Sequence, residues 1–141
     1  MKGIFIFAAL AYSLMVAAAT PLPVELTGIW TSSGSEMKGQ VVLTGNAIYL
    51  DSDGIGAMVG GNGSDVLGVR IVVSTYDSAT HTIKIDVTEK GKVVMAGATL
   101  NYDPLEKTIT SPLDHNRIYH REFLEVSDMT RKSLGLEPRS N

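Results

Sequence analysis

The sequence predicts an all-β domain that rolls into a small antiparallel meander barrel of about eight strands, with a short helix at its C-terminal end. Short segments rich in Val, Ile, Thr and Tyr alternate with closely spaced turn residues, which is typical of consecutive β-strands. A single open sheet of so many strands would leave long unpaired edges, and closure into a barrel removes them. The length of 141 residues fits one domain. A two-sheet β-sandwich is the alternative.

The first 19 residues have the pattern of a secretory signal peptide. Lys2 precedes an apolar run over residues 4–16, and small residues follow as far as Ala19. The run is shorter than the roughly 20 apolar residues that a transmembrane helix needs. We therefore expect cleavage after Ala19, a secreted or periplasmic location and no membrane anchor after cleavage. An uncleaved N-terminal anchor is the alternative.

Composition excludes several classes of function. The formal net charge is −3, and loss of Lys2 with the signal peptide makes the mature chain more acidic. Because no basic block is present to neutralise phosphates, a nucleic-acid partner is not expected. The absence of Cys excludes disulfides, thiolate metal sites, a catalytic Cys and a lipidated Cys. Burial alone must therefore stabilise the domain.

The candidate strands follow one another along residues 20–126, which we take as the barrel domain. They cover residues 26–31, 40–43, 47–50, 66–75, 82–88, 93–100, 107–110 and 117–124. Thr44-Gly45-Asn46 predicts a hairpin turn between the second and third of these, and Glu89-Lys90-Gly91-Lys92 predicts a tight turn with positive φ at Gly91.

The remaining residues, 127–141, are predicted to form a short helix and a tail. Ser127 or Asp128 is a suitable N-cap, and Gly135 is suited to end the helix. The basic side chains from Arg131 to Arg139 are interpreted as part of a disordered terminus and not as a membrane anchor, because no strongly apolar face accompanies them.

A tryptophan motif opens the mature chain. Leu26-Thr27-Gly28-Ile29-Trp30 resembles the G-x-W motif on the first strand of the calycins, the superfamily of lipocalins, fatty-acid-binding proteins and avidins. In calycins this Trp closes one end of the barrel, and an Arg or Lys from the last strand packs across its indole. The resemblance implies a barrel-closing pair of Trp30 with Arg117 or Arg121, which share one face of the predicted last strand. Trp30 as a large core residue on an edge strand is the alternative.

A glycine-rich segment over residues 53–65 is the candidate binding element. It has five Gly in the ten positions 54–63, and a β-type run follows it instead of the helix that a phosphate-binding loop requires. Our functional hypothesis is a flexible loop whose apolar residues Ile55, Met58 and Val59 insert into a cleft of a protein partner. The alternative is a hairpin connection or two short strands interrupted by glycine.

The sequence offers no clear catalytic constellation. His81, His115 and His120 are predicted to be structural or surface residues, and no metal site or cofactor is assigned, because a metal needs three or four convergent ligands. Asp114 and His115 with a Ser are an alternative, but no G-x-S-x-G motif supports them.

These observations favour an exported, non-catalytic binding protein with a protein partner, such as a periplasmic inhibitor or immunity-type module. One alternative is a calycin-type carrier of a small apolar ligand, and another is a metal-dependent or other enzyme. A carrier needs an interior cavity of roughly 300 Å³ or more. A filled barrel with a protruding loop over residues 55–59 favours the protein binder.

Overall fold

The computed structural model describes residues 19–139, in which nine strands and one short α-helix form. The elements are β1 (Gly28–Ser32), β2 (Glu36–Lys38), β3 (Val41–Leu50), β4 (Ile55–Asn62), β5 (Val66–Asp77), β6 (Thr82–Glu89), β7 (Lys92–Asp103), β8 (Thr108–Ser111), a 3-10 turn (Pro112–Asp114), β9 (Arg117–Phe123) and α1 (Asp128–Ser133). The predicted signal peptide lies outside the described residues except for Ala19. No helix in the described part is long and apolar enough to cross a membrane.

The strands close into a barrel. From β3 to β9 each strand pairs antiparallel with the next, and β1 joins the two ends of the sheet by pairing with both β3 and β9. Eight strands form the barrel, and the short β2 pairs with β3 outside it. The predicted meander barrel with a short C-terminal helix is confirmed, and the sandwich alternative is wrong.

Two predicted turns had different outcomes. Lys90 and Gly91 form the tight β6–β7 turn, with φ values of +51° and +77°, as predicted. The hairpin predicted at Thr44-Gly45-Asn46 is wrong, because these residues lie within β3. Gly45 has a φ of +100°, and a Cβ there would lie 2.2 Å from the Ser35 hydroxyl oxygen. Glycine therefore permits a bend inside one strand instead of separating two strands.

The buried side chains form two clusters, one inside the barrel and one on its outer surface. Alternation along each strand sends one set into the barrel, where it packs as a single cluster. This interior cluster consists of Leu22, Leu26, Trp30, Ile48, Leu50, Ile71, Val73, Ile83, Ile85, Leu100, Ile109 and Tyr119. Side chains therefore fill the part of the barrel interior in which these residues lie.

A second cluster lies on the outer surface of the barrel. It consists of Ile29, Val42, Ala47, Tyr49, Ala57, Val59 and Val126, with Leu134 packed against it. The first six belong to β1, β3 and β4, whereas Val126 and Leu134 belong to residues 124–139, which we call the C-terminal segment. This segment covers one outer face of the barrel, so that β1 is buried on both sides.

Candidate functional site

Trp30 lies at the end of the barrel that the turn over residues 22–27 covers, which we call the closed end. Its side chain is buried, and its Nε1 donates a hydrogen bond of 3.0 Å to the carbonyl oxygen of Leu26. The ring of Tyr102 meets the indole edge-on, with 6.0 Å between the ring centroids. The guanidinium carbon of Arg121 lies 5.9 Å from the indole centroid, within the range of a cation–π contact.

Arg121 also ties the first turn of the described chain to the last strand. Its Nε donates to the carbonyl oxygen of Thr27 at 2.8 Å, and its Nη2 donates to that of Val24 at 2.7 Å. The geometry thus brings Trp30 and Arg121 together. Arg117 does not join them, because it lies at the opposite end of β9 and forms an ion pair with Asp114.

The glycine-rich segment is a strand, so the predicted flexible loop is wrong. Residues 55–62 form β4, which pairs with β3 on one side and with β5 on the other. A Cβ on Gly56 would lie 1.8 Å from the carbonyl oxygen of Tyr49, so glycine here allows close approach of two backbones. Met58 packs against the interior cluster and Val59 is buried in the outer one. Ile55, Met58 and Val59 therefore do not form an insertion loop for a partner's cleft.

A buried ionic network, which no sequence pattern indicates, lies under the C-terminal segment. Arg131 is 2% exposed, and its Nη1 donates hydrogen bonds of 3.0 Å to both Asp51 Oδ2 and Asp53 Oδ1. Its Nε donates to the carbonyl oxygen of Glu137, and Arg139 Nε donates to Asp51 Oδ2 at 2.9 Å. The predicted disordered terminus is therefore a fixed structural element over residues 128–139.

Helix α1 presents Arg131 to this network. The Ser127 hydroxyl accepts a hydrogen bond from the backbone N–H of Thr130, and the N-cap is as predicted. Gln40 accepts hydrogen bonds from the backbone N–H of Ser127 and the hydroxyl of Thr130, which fixes the helix against the β2–β3 turn.

Burial and ionic contacts act in opposite directions on the pKa of Asp51. Burial alone would raise this pKa, but hydrogen bonds from Arg139, from the Ser52 backbone N–H and from Arg131 outweigh burial and hold the pKa below its usual value. The ionised carboxylate is therefore favoured in the folded protein over the unfolded chain.

This lowered pKa predicts acid sensitivity. The contribution of Asp51 to stability is present above the unfolded pKa of about 4 and is lost as the pH falls through the lower folded value. Urea unfolding at a series of pH values should show the free energy of unfolding decreasing below about pH 4, and Asp51→Asn should flatten that decrease. Asp65→Asn, at an exposed carboxyl, is the matched control. An Asp51→Asn profile parallel to the wild-type profile would contradict the prediction.

The three histidines lie apart. His81 is in the β5–β6 turn, His115 follows the 3-10 turn, and His120 is on β9 opposite Thr31. Within residues 19–139, no group of three or more His, Asp or Glu side chains is close enough to hold a metal ion.

The end opposite Trp30 is formed by the β4–β5, β6–β7 and β8–β9 connections, and we call it the open end. Of thirteen large hydrophobic side chains exposed in the described part, seven lie here: Val66, Leu67, Val69, Val94, Met95, Leu113 and Ile118. Leu67 and Val69 pair with Gly60 and Met58, and Met95 pairs with Val87. Since Met58 and Val87 pack on the interior cluster, Leu67, Val69 and Met95 lie on the interior face of the sheet, above the packed level.

The other side of the open end is polar. Ser111 is fully buried, and its hydroxyl has no hydrogen-bond partner among the described residues. Ser111 pairs with Arg117, whose guanidinium binds Asp114. Burial raises the pKa of Tyr119 to about 12, and the carboxylate of Asp114 adds to this shift. The open end thus combines apolar side chains on β5 and β7, together with Leu113 and Ile118, with the polar groups of Ser111, Asp114 and Arg117.

No family model, curated protein or solved structure matches this chain. The closed eight-stranded antiparallel barrel is compatible with a calycin-like fold.

Proposed function

We propose that the protein is a non-catalytic binding protein of calycin-like architecture whose open end docks on a protein partner, as an exported inhibitor or immunity-type module would. The observation that carries this proposal is the concentration of seven exposed large hydrophobic residues at one end of the barrel. Contiguous exposed apolar surface on a small domain is typical of interaction sites. Charged residues such as Arg117 and Asp114 border it, in the manner of a polar rim around an apolar interface.

The orientation of these residues favours a protein over a small molecule. Leu67 and Met95 lie on the interior face, whereas Ile118 lies on the outer face, because it adjoins the inward Tyr119 on β9. A small ligand in the mouth would cover only the inner residues. A protein surface docked on the open end would cover both the inward-facing and the outward-facing residues. Because side chains fill the barrel interior below, the contact area is limited to the open end itself.

Capture from an extract of the exported proteins of the source cells tests this proposal. Leu67→Asp/Met95→Asp places two charges at the open end, and we expect it to retain the partner at least about tenfold less than wild type does. The matched control is Leu105→Asp/Leu124→Asp, because both leucines are exposed at the closed end. Equal retention by all three proteins, with unchanged thermal midpoints, would contradict the proposal.

A groove at the open end supports a second candidate, a carrier of a small apolar ligand. This shallow groove of about 350 Å³ is open to solvent and is lined by Asn46, Gly60 and Leu67 among others, and ligand sites begin at roughly 300 Å³. Native mass spectrometry distinguishes the two functions. A lipid-sized adduct that Leu67→Asp/Met95→Asp loses, together with no captured protein, would replace the protein binder by the carrier.

A further inference from the structure

The wall of the barrel has a gap at the open end, beside β7. Strand β7 is 12 residues long, whereas β8 has four residues and pairs only with Asn101, Tyr102 and Asp103 of β7. Residues 92–97 therefore have β6 on one side and, among the described residues, no strand on the other. Their backbone N–H and C=O groups on that side form a free strand edge.

Exposed apolar side chains lie at the same end of the barrel as this free edge. Val94 and Met95 belong to β7 itself, Leu113 to the 3-10 turn and Ile118 to the start of β9. Soluble proteins usually protect an exposed edge with charges or proline. Residues 93–100 contain neither, so a protecting charge comes only from Lys92 at the very start of the strand. Two register shifts in the pairing with β6 and a φ of +69° at Gly97 make this stretch of β7 irregular, so an added strand would pair with it over short runs on either side of the bulges.

The charges near the edge indicate which strand it would take. Arg117 and Asp114 neutralise each other in their ion pair. The β6–β7 turn contributes Glu89, Lys90 and Lys92, whose net charge is positive in a chain whose formal charge is −3. A strand with an acidic residue at the end that lies beside this turn would complement it.

We infer that the free edge of β7 binds an extended segment of the protein partner as an additional strand. The segment would pair with residues 92–97, place apolar side chains against Val94, Met95, Leu113 and Ile118, and set a carboxylate beside Lys90 and Lys92. Backbone pairing supplies affinity in this mode of recognition, and the alternating side chains supply specificity. The inference rests on the proposed function and names how the open end holds its partner.

A synthetic strand provides a probe that needs no native partner. We would add the capped peptide Thr-Val-Thr-Val-Thr-Val-Glu, whose C-terminal Glu lies beside Lys92 in an antiparallel pairing, to the full mature chain and follow backbone amide exchange by NMR. We expect those amides of residues 92–97 that point away from β6 to become protected in a saturable manner. A fully N-methylated version should not protect them, and a version with Lys in place of Glu should bind about tenfold more weakly. Met95→Lys should weaken binding similarly, whereas Leu105→Lys, an exposed closed-end control, should not.

Each outcome decides one point. Equal binding of the N-methylated peptide, or protection elsewhere on the barrel, would overturn strand addition. Protection of residues 92–97 that grows with protein concentration without peptide would mean that a second copy occupies the edge, and would overturn the partner segment as occupant. Capture of a protein partner that the open-end double variant loses, with no peptide protection, would overturn only this inference and leave the proposed function standing.

Discussion

Arg131→Met should lower the free energy of unfolding by about 3–5 kcal/mol, because it leaves Asp53 without its arginine and buried Asp51 with Arg139 alone. The side chains of Arg131 and Asp51 are 2% and 7% exposed, and their closest N and O atoms are 3.0 Å apart. Methionine keeps much of the length and apolar bulk of arginine, so the change removes the charge and the hydrogen bonds more than the packing. Urea unfolding followed by circular dichroism would measure the loss.

Two further variants separate the charge from the helix in which it lies. Lys132→Met alters the next residue of α1, which is exposed, and should change stability by no more than about 0.5 kcal/mol. Arg131→Lys keeps the charge but loses the planar group that binds both carboxylates through Nη1 and the Glu137 carbonyl oxygen through Nε and Nη2, and it should fall between wild type and Arg131→Met. A loss below about 1 kcal/mol for Arg131→Met would mean that the network is solvated and contributes as little as a surface ion pair.

Strands, turns and caps that a few neighbouring residues determine can be predicted from the sequence. Ile83, Ile85 and Val87 alternate with polar neighbours, and this period alone predicts a strand with one buried face. The Lys90-Gly91 turn and the Ser127 cap are equally local, since a few adjacent residues determine each of them.

Contacts between distant residues explain what sequence reasoning missed. Arg131 and Asp51 are 80 residues apart, so no sequence spacing reveals that they are paired. The glycine-rich pattern around Gly56 predicts flexibility, but glycine is needed there because the backbone of Tyr49 occupies the place where a Cβ would lie. A local signal does distinguish Arg121 from Arg117 as the arginine that contacts Trp30. Asp114 precedes Arg117 by three residues and forms an ion pair with it, which leaves Arg121 for the contact with Trp30.

Trp30→Ala should cost about 3–5 kcal/mol of unfolding free energy, the range for removing a large aromatic residue from a well-packed core. The side chain is 1% exposed and packs with Leu26, Ile48 and the edge of Tyr102. Its removal would leave a cavity at the closed end. It would also remove the indole ring over which the Arg121 guanidinium lies, and the loss of this cation–π contact accounts for roughly 0.5–2 kcal/mol of that total. Trp30→Phe keeps an aromatic face but loses the hydrogen bond to Leu26, and its cost should be intermediate.

Spectroscopy of the wild-type protein tests the same burial without a variant. Trp30 is the single Trp of the chain, so its emission reports on this one site. We expect blue-shifted emission with little quenching by iodide, and a shift to the position typical of water on unfolding, coincident with the loss of β-sheet signal. Tyr102→Ala, at a half-buried ring, is the control for Trp30→Ala and should cost less. Emission of the native protein at the position of exposed indole, or a loss near zero for Trp30→Ala, would contradict closure of this end of the barrel by Trp30 and Arg121.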